Sequence, residues 1–582
     1  MSSNANGQQG LIKGILKRPA SISPSASSPT HPDASPSRPL QNLQLDTADV
    51  MSAQLPSTAR SNGKSPAPPM LRKHSSPMMP PFMVSAPGKV IVYGEHAVVH
   101  GKPAIAAAIS LRSYLHVSFL SKSHRTVTMR FPDIELEHTW ELDKLPWDAF
   151  AAPGKKKFYY DSVTSLDPDL QAALEPSIQL VSPNAPESIR KIHHSTACCF
   201  LYLFCSLASR KTPPCVYTLR STIPLRAGLG SSASISVCIS AALLLQIRAL
   251  SGPHQDQPPQ ECELQIERIN RWAFVGEMCI HGNPSGIDNT VAAGGKAVLY
   301  QRQGPEKPPR IVPIHSFPEL PLLLVNTRQS RSTAVEVAKV ATLRENHPAL
   351  TENILDSIGL VTESAYKLLT SPDFDPSSLA ALKHLGDLVT INHGLLVSLG
   401  VSHPKLERIR ELIDHTGIGW TKLTGAGGGG CAITIIKPRP TSAANGNGVH
   451  HEHSSSSEAS DSDSDSPATA AASVISSGTK LKHRILDNLE VKLGNEGFDK
   501  FETTLAGDGV GVLWPAVLHN VNEEEGGEEI DQEKFLRAEG TEGIERLVGV
   551  ASARARKVDA LRDVREGWKF WRPWETEADD ED

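Results

Sequence analysis

The residues of this chain best suited to chemistry begin with Pro224-Leu-Arg-Ala-Gly-Leu-Gly-Ser-Ser-Ala233, a glycine-serine loop that opens into an apolar, helix-patterned stretch from Ser234 to Leu250. Free N–H groups at a helix start converge on one point, and the helix dipole favours negative charge there, so the loop is a candidate phosphate cradle. Gly228 and Gly230 let the backbone approach an anion, while Ser231 and Ser232 add hydroxyls for phosphate or a metal ion. The alternative is an ordinary strand-to-helix turn with a serine cap. A second glycine loop, Lys422-Leu-Thr-Gly-Ala-Gly-Gly-Gly-Gly430, an early lysine, Lys89, and the separated carboxylates Glu277 and Asp288 complete the set. Two glycine loops, one lysine and two acids are the components of phosphoryl transfer from a magnesium nucleotide.

These residues need elements to hold them. Cys215 to Ile223 predicts a strand feeding the first loop, and Ser232 to Leu250 the helix that leaves it. Apolar residues at helical spacing from Leu264 to Ile280 predict a helix that delivers His281-Gly-Asn-Pro-Ser-Gly-Ile-Asp-Asn289. Ordered structure begins at Pro81-Phe-Met-Val-Ser-Ala-Pro-Gly-Lys-Val-Ile-Val-Tyr-Gly-Glu-His96, where the Pro-Gly break predicts two strands joined at Pro87-Gly88. Leu320 to Asn326 predicts a buried strand opening a second half, followed by amphipathic helices through His415. Gly425, Gly427 and Gly430 spell GxGxxG, but β-branched residues follow instead of a helix, so the dinucleotide fingerprint fails on context. A helix from Lys480 to Leu493 and a closing strand from Phe501 to Trp514 end the pattern.

The chain has 582 residues and a formal net charge of -6, which gives no basic field for nucleic acid. Residues 1–80 are rich in Ser and Pro and poor in periodic hydrophobics, which predicts a disordered tail. Its Ser-Pro pairs at Ser23, Ser28, Ser65 and Ser76 are candidate phosphorylation sites. Residues 438–476 read as a low-complexity insert; His450, His451 and His453 within it are a poor metal site in so flexible a run. Residues 521–582 form an acidic C-terminal extension, mobile over Glu523 to Asp531 and Glu575 to Asp582. Eight cysteines with no CxxC pair fit a reduced, cytoplasmic setting, and neither a signal pattern nor a membrane-length apolar run is present.

No GxxxxGK[ST] occurs, and neither HRD nor DFG stands in kinase context, so P-loop and protein-kinase readings lose support. Pro87-Gly-Lys89 with Gly94-Glu-His96, then Gly228-Leu-Gly-Ser-Ser-Ala233, then Lys422 to Gly430 resemble, in the same order, the three motifs of the GHMP small-molecule kinases. Val84 to Lys102 and Gly276 to Asn289 resemble the mevalonate kinase family within that superfamily, over about residues 82 to 515.

That resemblance implies an α+β, two-domain GHMP kinase fold: a first half like ribosomal protein S5 domain 2 (81–319), a ferredoxin-like second half (320–520), and the active site in the cleft between them. It implies ATP and mevalonate as substrates, with phosphate wrapped by Gly228, Leu229, Gly230, Ser231, Ser232 and Ala233. Ser232 and Glu277 would hold Mg2+, a cation that prefers hard oxygen ligands. Asp288 would accept the proton of the substrate hydroxyl or orient it, beside Lys89, whose ammonium stabilises the attacking oxygen or the transferred group. Glu95, His96 and Thr327 would line the acceptor pocket. The glycines around Gly427 would leave room for substrate and nucleotide, or permit a tight turn. A homodimer and feedback inhibition by prenyl diphosphates are further expectations from relatives. Two rivals remain at this point: another GHMP kinase acting on phosphomevalonate, homoserine or galactose, and a non-catalytic ligand sensor on the same fold. The His281-Gly-Asn-Pro-Ser-Gly286 segment argues against the first; intact Lys89, Glu277 and Asp288 argue against the second.

Overall fold

The structure, a computed structural model, describes residues 79–254, 256–304, 307–437, 484–520, 527–549 and 565–573. The tail before residue 79, its Ser-Pro pairs, the insert at 438–476 with its histidines, and Glu575 to Asp582 lie outside the described residues.

The spine is a pair of long antiparallel strands, β1 (Phe82–Tyr93) and β2 (Ala104–Phe119), whose side chains are buried on both faces along most of their length. β1 is one strand where two were predicted. Pro87 and Gly88 are absorbed by a shift in register between Pro87 and Lys89, and the Lys89 N–H turns away from the ladder to donate to Leu229 O at 2.8 Å. A bulge is how a sheet accommodates a residue that cannot donate. β5 (Cys215–Ser221) pairs along the C-terminal half of β2 and carries β3 (Thr126–Phe131) and β4 (Leu136–Glu141), while β6 (Ala297–Gln301) pairs along its N-terminal end and carries β7 (Arg310–Ile314).

Three helices cover this sheet: Glu187–Leu207, Ser231–Gln246 and Pro259–His281. The middle one is buried nearly all round, as an all-apolar helix must be. Downstream, β8 (Leu320–Asn326) lies between β10 (Cys431–Ile436) and β11 (Asp499–Leu505), with β9 (Gly419–Leu423) at the edge. β8 has the predicted bounds. It is followed by four helices, Thr333–Asn346, Pro348–Leu369, Leu379–Ser398 and Pro404–Asp414. The two groups of strands join where Leu505 pairs with Ile109. Residues 484–495 are helical.

The predicted closing strand from Phe501 to Trp514 is instead β11 and β12 (Gly511–Leu513), separated by a crossing. Ala506 takes φ 63, and the chain then passes so close to the end of the Ile287–Gly294 helix that a Cβ on Gly509 would lie 2.3 Å from Ala293 O. Val510 N donates to Ala293 O at 3.0 Å there.

The extension is also more ordered than its charge suggests. Glu528–Glu529 pairs with Val517 and Leu518, so the described part of the expected mobile stretch includes a short strand, and Asp531 caps the helix Gln532–Arg537. Arg220 donates to Phe535 O and Leu536 O, tying that helix to β5. Lys569–Phe570 pairs with β12, Arg572 binds Asp508 at 2.8 Å, and Trp571 is fully buried with its indole N–H on Gln265 Oε1 at 3.1 Å. Trp571→Ala is expected to cost about 3–5 kcal/mol, the range for emptying a large core site. Urea unfolding of the full chain measures it, with the part-exposed Arg572→Ala expected to cost far less.

Candidate active site

The register shift in β1 aims Lys89 at the start of the Ile287–Gly294 helix, where its ammonium meets Asp288 Oδ1 at 3.1 Å. Asp288 stands in the first turn, where the helix dipole favours its charge. It is not a cap: the capping position is Gly286, with no side-chain capping bond. That helix is locked to its neighbour by Asn289 Nδ2 donating to Asn270 Oδ1 at 2.6 Å and by Asn270 Nδ2 donating to Thr290 Oγ1 at 3.2 Å.

The first glycine loop lies over this ion pair. A Cβ on Gly230 would stand 3.0 Å from Lys89 Cγ and 3.6 Å from Asp288 Oδ2, and φ 72 already calls for glycine. Gly230 caps the helix Ser231–Gln246 without a side-chain bond, so the serine-cap alternative is set aside. The loop therefore presents first-turn N–H groups beside the Lys89–Asp288 pair.

One helix away, Glu277 is 3 % exposed and its Oε1 is buried without a hydrogen-bond partner among the described residues. Burial pushes its pKa up to about 7, helped by the charge of Asp288 and opposed by the Ser232 hydroxyl and Lys89. Ser231 Oγ is likewise buried and unpartnered, while Ser232 Oγ lies 3.0 Å from His281 Nε2. Glu277, His281, Asn283, Ser285, Asp288 and Asn289 line a single recess. Among the described residues no cluster of three or more His, Cys, Asp or Glu could cage a metal. One orphaned carboxylate oxygen with adjacent hydroxyls instead fits a magnesium ion that draws its remaining ligands from phosphate and water.

The residues expected in the acceptor pocket gather around the second glycine loop, but they are engaged in holding it. Glu95 is fully buried in an ion pair with Lys422 and accepts from Asn392 Nδ2 at 3.0 Å. His96 Nε2 bonds Ala426 O at 2.8 Å, and burial lowers its pKa, so the ring serves as a neutral donor. Thr327 Oγ1 donates to Gly430 O at 2.8 Å. The glycines of that loop pack closely against the chain. A Cβ on Gly427 would lie 2.0 Å from Val401 O, and the space beside Gly428 belongs to Glu336.

Arg331, which sequence reasoning missed, fills the gap between the two loops. Its guanidinium donates to Ala227 O at 3.1 Å, and a Cβ on Gly228, Gly425 or Gly430 would collide with it or crowd it. Its second terminal nitrogen is buried without a partner among the described residues, and burial lowers its pKa. A buried guanidinium with an idle donor is built to receive an anion. Its position just past the buried strand β8 was the available signal.

Known proteins resemble this chain along most of its length. The family descriptions "GHMP kinases N terminal domain" and "GHMP kinases C terminal" match residues 196–295 and 378–446. The chain is 61% identical to a mevalonate kinase of Gibberella zeae over 86% of this chain and 89% of that protein. It is 59% identical to a mevalonate kinase of Aspergillus fumigatus over 86% and 84% respectively. The crystal structure of the Methanococcus jannaschii mevalonate kinase covers 75% of this chain and 100% of its own, at 20% identity and a TM-score of 0.47. With its glycine loops, its Lys89–Asp288 pair and relatives this similar over most of their length, the chain belongs to the mevalonate kinase family of the GHMP kinases.

Proposed function

We propose that this chain transfers the γ-phosphoryl group of ATP to the 5-hydroxyl of (R)-mevalonate, giving 5-phosphomevalonate and ADP, a step of isoprenoid and sterol synthesis. The observation that carries the residue-level reading is the Lys89–Asp288 contact beneath the first glycine loop. In this reading residues 228–233 cradle the phosphates with backbone N–H groups and the Ser231 hydroxyl. Asp288 takes up the hydroxyl proton as the oxygen attacks, and Lys89 faces the charge spread over attacking and transferred oxygens. Glu277 and Ser232 would hold magnesium, which when bound neutralises charge on the β- and γ-phosphates. Arg331 receives the acceptor's carboxylate. Mevalonate has that carboxylate and galactose does not, so the idle guanidinium favours mevalonate over the sugar acceptor. Glu95, His96 and Thr327 act as positioning residues that hold the second glycine loop.

The proposal extends to two domains meeting near residue 320, a homodimer, inhibition by prenyl diphosphates and a cytoplasmic location. Cysteines that are all free support a reducing compartment, and among the described residues no helix is long and apolar enough to cross a membrane. ADP release with magnesium-ATP and a panel of mevalonate, phosphomevalonate, homoserine and galactose tests the acceptor. Turnover with mevalonate alone is expected; nucleotide binding without turnover on any acceptor would instead mark a sensor.

A pH dependence follows from Glu277. With its carboxyl raised to about 7, the proton competes with the cation, and the ionised form that binds metal is depleted as pH falls. The magnesium concentration for half-maximal activity is expected to rise roughly five- to tenfold from pH 7 to pH 6 and little from pH 8 to pH 9. Magnesium titrations at each pH measure this; a flat response across that range would contradict the assignment.

A further inference from the structure

The two proposed cation-holding residues, Ser232 and Glu277, stand on different helices, and His281 lies close to both. Its Nε2 is 3.0 Å from Ser232 Oγ and 4.0 Å from Glu277 Oε2. The first distance is a hydrogen bond and the second is too long for one, so the imidazole is engaged with the serine. His281 comes one turn after Glu277 on the helix Pro259–His281, which puts the two side chains on one face, and it lines the same recess as Glu277 and Asp288. Gly282, at φ 76, ends that helix, and the chain runs through Asn283 to Gly286 into the helix that bears Asp288. The ring therefore links the start of the Ser231–Gln246 helix to the segment that carries both acidic residues.

A serine hydroxyl has one proton and two lone pairs. To hold a cation its oxygen must turn a lone pair toward the metal, and the proton then needs an acceptor on another side. Bulk water accepts it but leaves the hydroxyl free to rotate. An imidazole nitrogen at 3.0 Å accepts it and holds the rotor at one angle. The nitrogen facing the serine is then the one without a hydrogen, and the ring proton sits on Nδ1. Magnesium is exacting about the placement of its oxygen ligands, so a fixed rotor favours its binding.

We propose that His281 is a positioning residue for the metal-holding hydroxyl: its Nε2 accepts the Ser232 proton and keeps the lone pairs of that oxygen turned to the cation. This rests on the assignment of Ser232 and Glu277 as the magnesium site. The His281 side chain is 53 % exposed, so replacing it empties no core and its variants are expected to fold.

The test uses Mn2+ as the probe. It is titrated into the full chain held in excess over the β,γ-imido analogue of ATP, and free Mn2+ is read by electron paramagnetic resonance, so no turnover is involved. His281→Leu is expected to weaken Mn2+ retention roughly three- to tenfold, the worth of one hydrogen bond, with affinity for the analogue in EDTA unchanged. His281→Gln offers an acceptor oxygen at similar reach and should recover most of the loss. In a Ser232→Ala background His281→Leu should add almost nothing, because a residue that acts through the serine then has nothing to hold. Full additivity in that double variant, or no loss in His281→Leu, would overturn the proposal. A fall in metal-free binding would overturn it in favour of a direct phosphate contact. If the wild type itself retains no Mn2+ the magnesium assignment fails, whereas retention by the wild type that His281→Leu matches removes only the role of His281.

Discussion

Asp288→Asn is expected to fold, to bind magnesium-ATP and mevalonate, and to lose about 10²–10⁴-fold in kcat, the range that general acid–base catalysis supplies. Asparagine keeps the shape of the side chain and one acceptor oxygen, so it can still orient a hydroxyl and face Lys89 at the 3.1 Å now seen. It cannot take a proton. The substitution therefore separates two roles left open by the motif: a group that only orients will lose less than about tenfold, and a base will lose the full range. Because Lys89 and Asp288 act as one unit, adding Lys89→Met to the variant should cost little more, a non-additivity that steady-state kcat and KM values measure directly.

Arg331→Met is expected to raise KM for mevalonate by roughly 10²-fold or more, with a much smaller change in KM for ATP. Removing one partner of a desolvated charge pair costs about 2–5 kcal/mol, and here the acceptor's carboxylate would be left facing an apolar wall. Arg331 also ties Ala227 O to the second glycine loop, so a purely structural role predicts equal damage to both substrates. Arg331→Lys keeps the charge but loses the fork, and should fall between the wild type and Arg331→Met. Equal rises in the two KM values would remove Arg331 from the acceptor site.

How far the sequence revealed this arrangement depended on how local each signal was. Lys89, Gly230, Glu277 and Asp288 each sit in a short segment whose glycines, prolines and charges are unusual together, and the structure brings all of them to one recess or its rim. β8 was legible because an apolar run between polar flanks has one economical reading. Arg331 was missed because its neighbours Gly228, Gly425 and Gly430 lie about a hundred residues away on either side. The partners of Glu95 were hidden for the same reason: Lys422 and Asn392 come from the second half of the chain.

The extension shows how composition can mislead. Its acidic runs predicted mobility, yet Phe535, Ile544 and Trp571 are buried within them or beside them, and three anchoring side chains outweigh many solvated charges. Pro87-Gly88 read as a break because the Lys89 N–H has its partner, Leu229 O, in a distant loop. In both cases the deciding contact was nonlocal.

The most direct test of the central claim is the phosphorus NMR spectrum of the product made from magnesium-ATP and (R)-mevalonate by the wild type and by Asp288→Asn in parallel. The account predicts a phosphate monoester coupled to the methylene protons of C5 for the wild type, and almost none from the variant in the same time. An ester at another position, inorganic phosphate in place of an ester, or equal ester formation by the variant would contradict it.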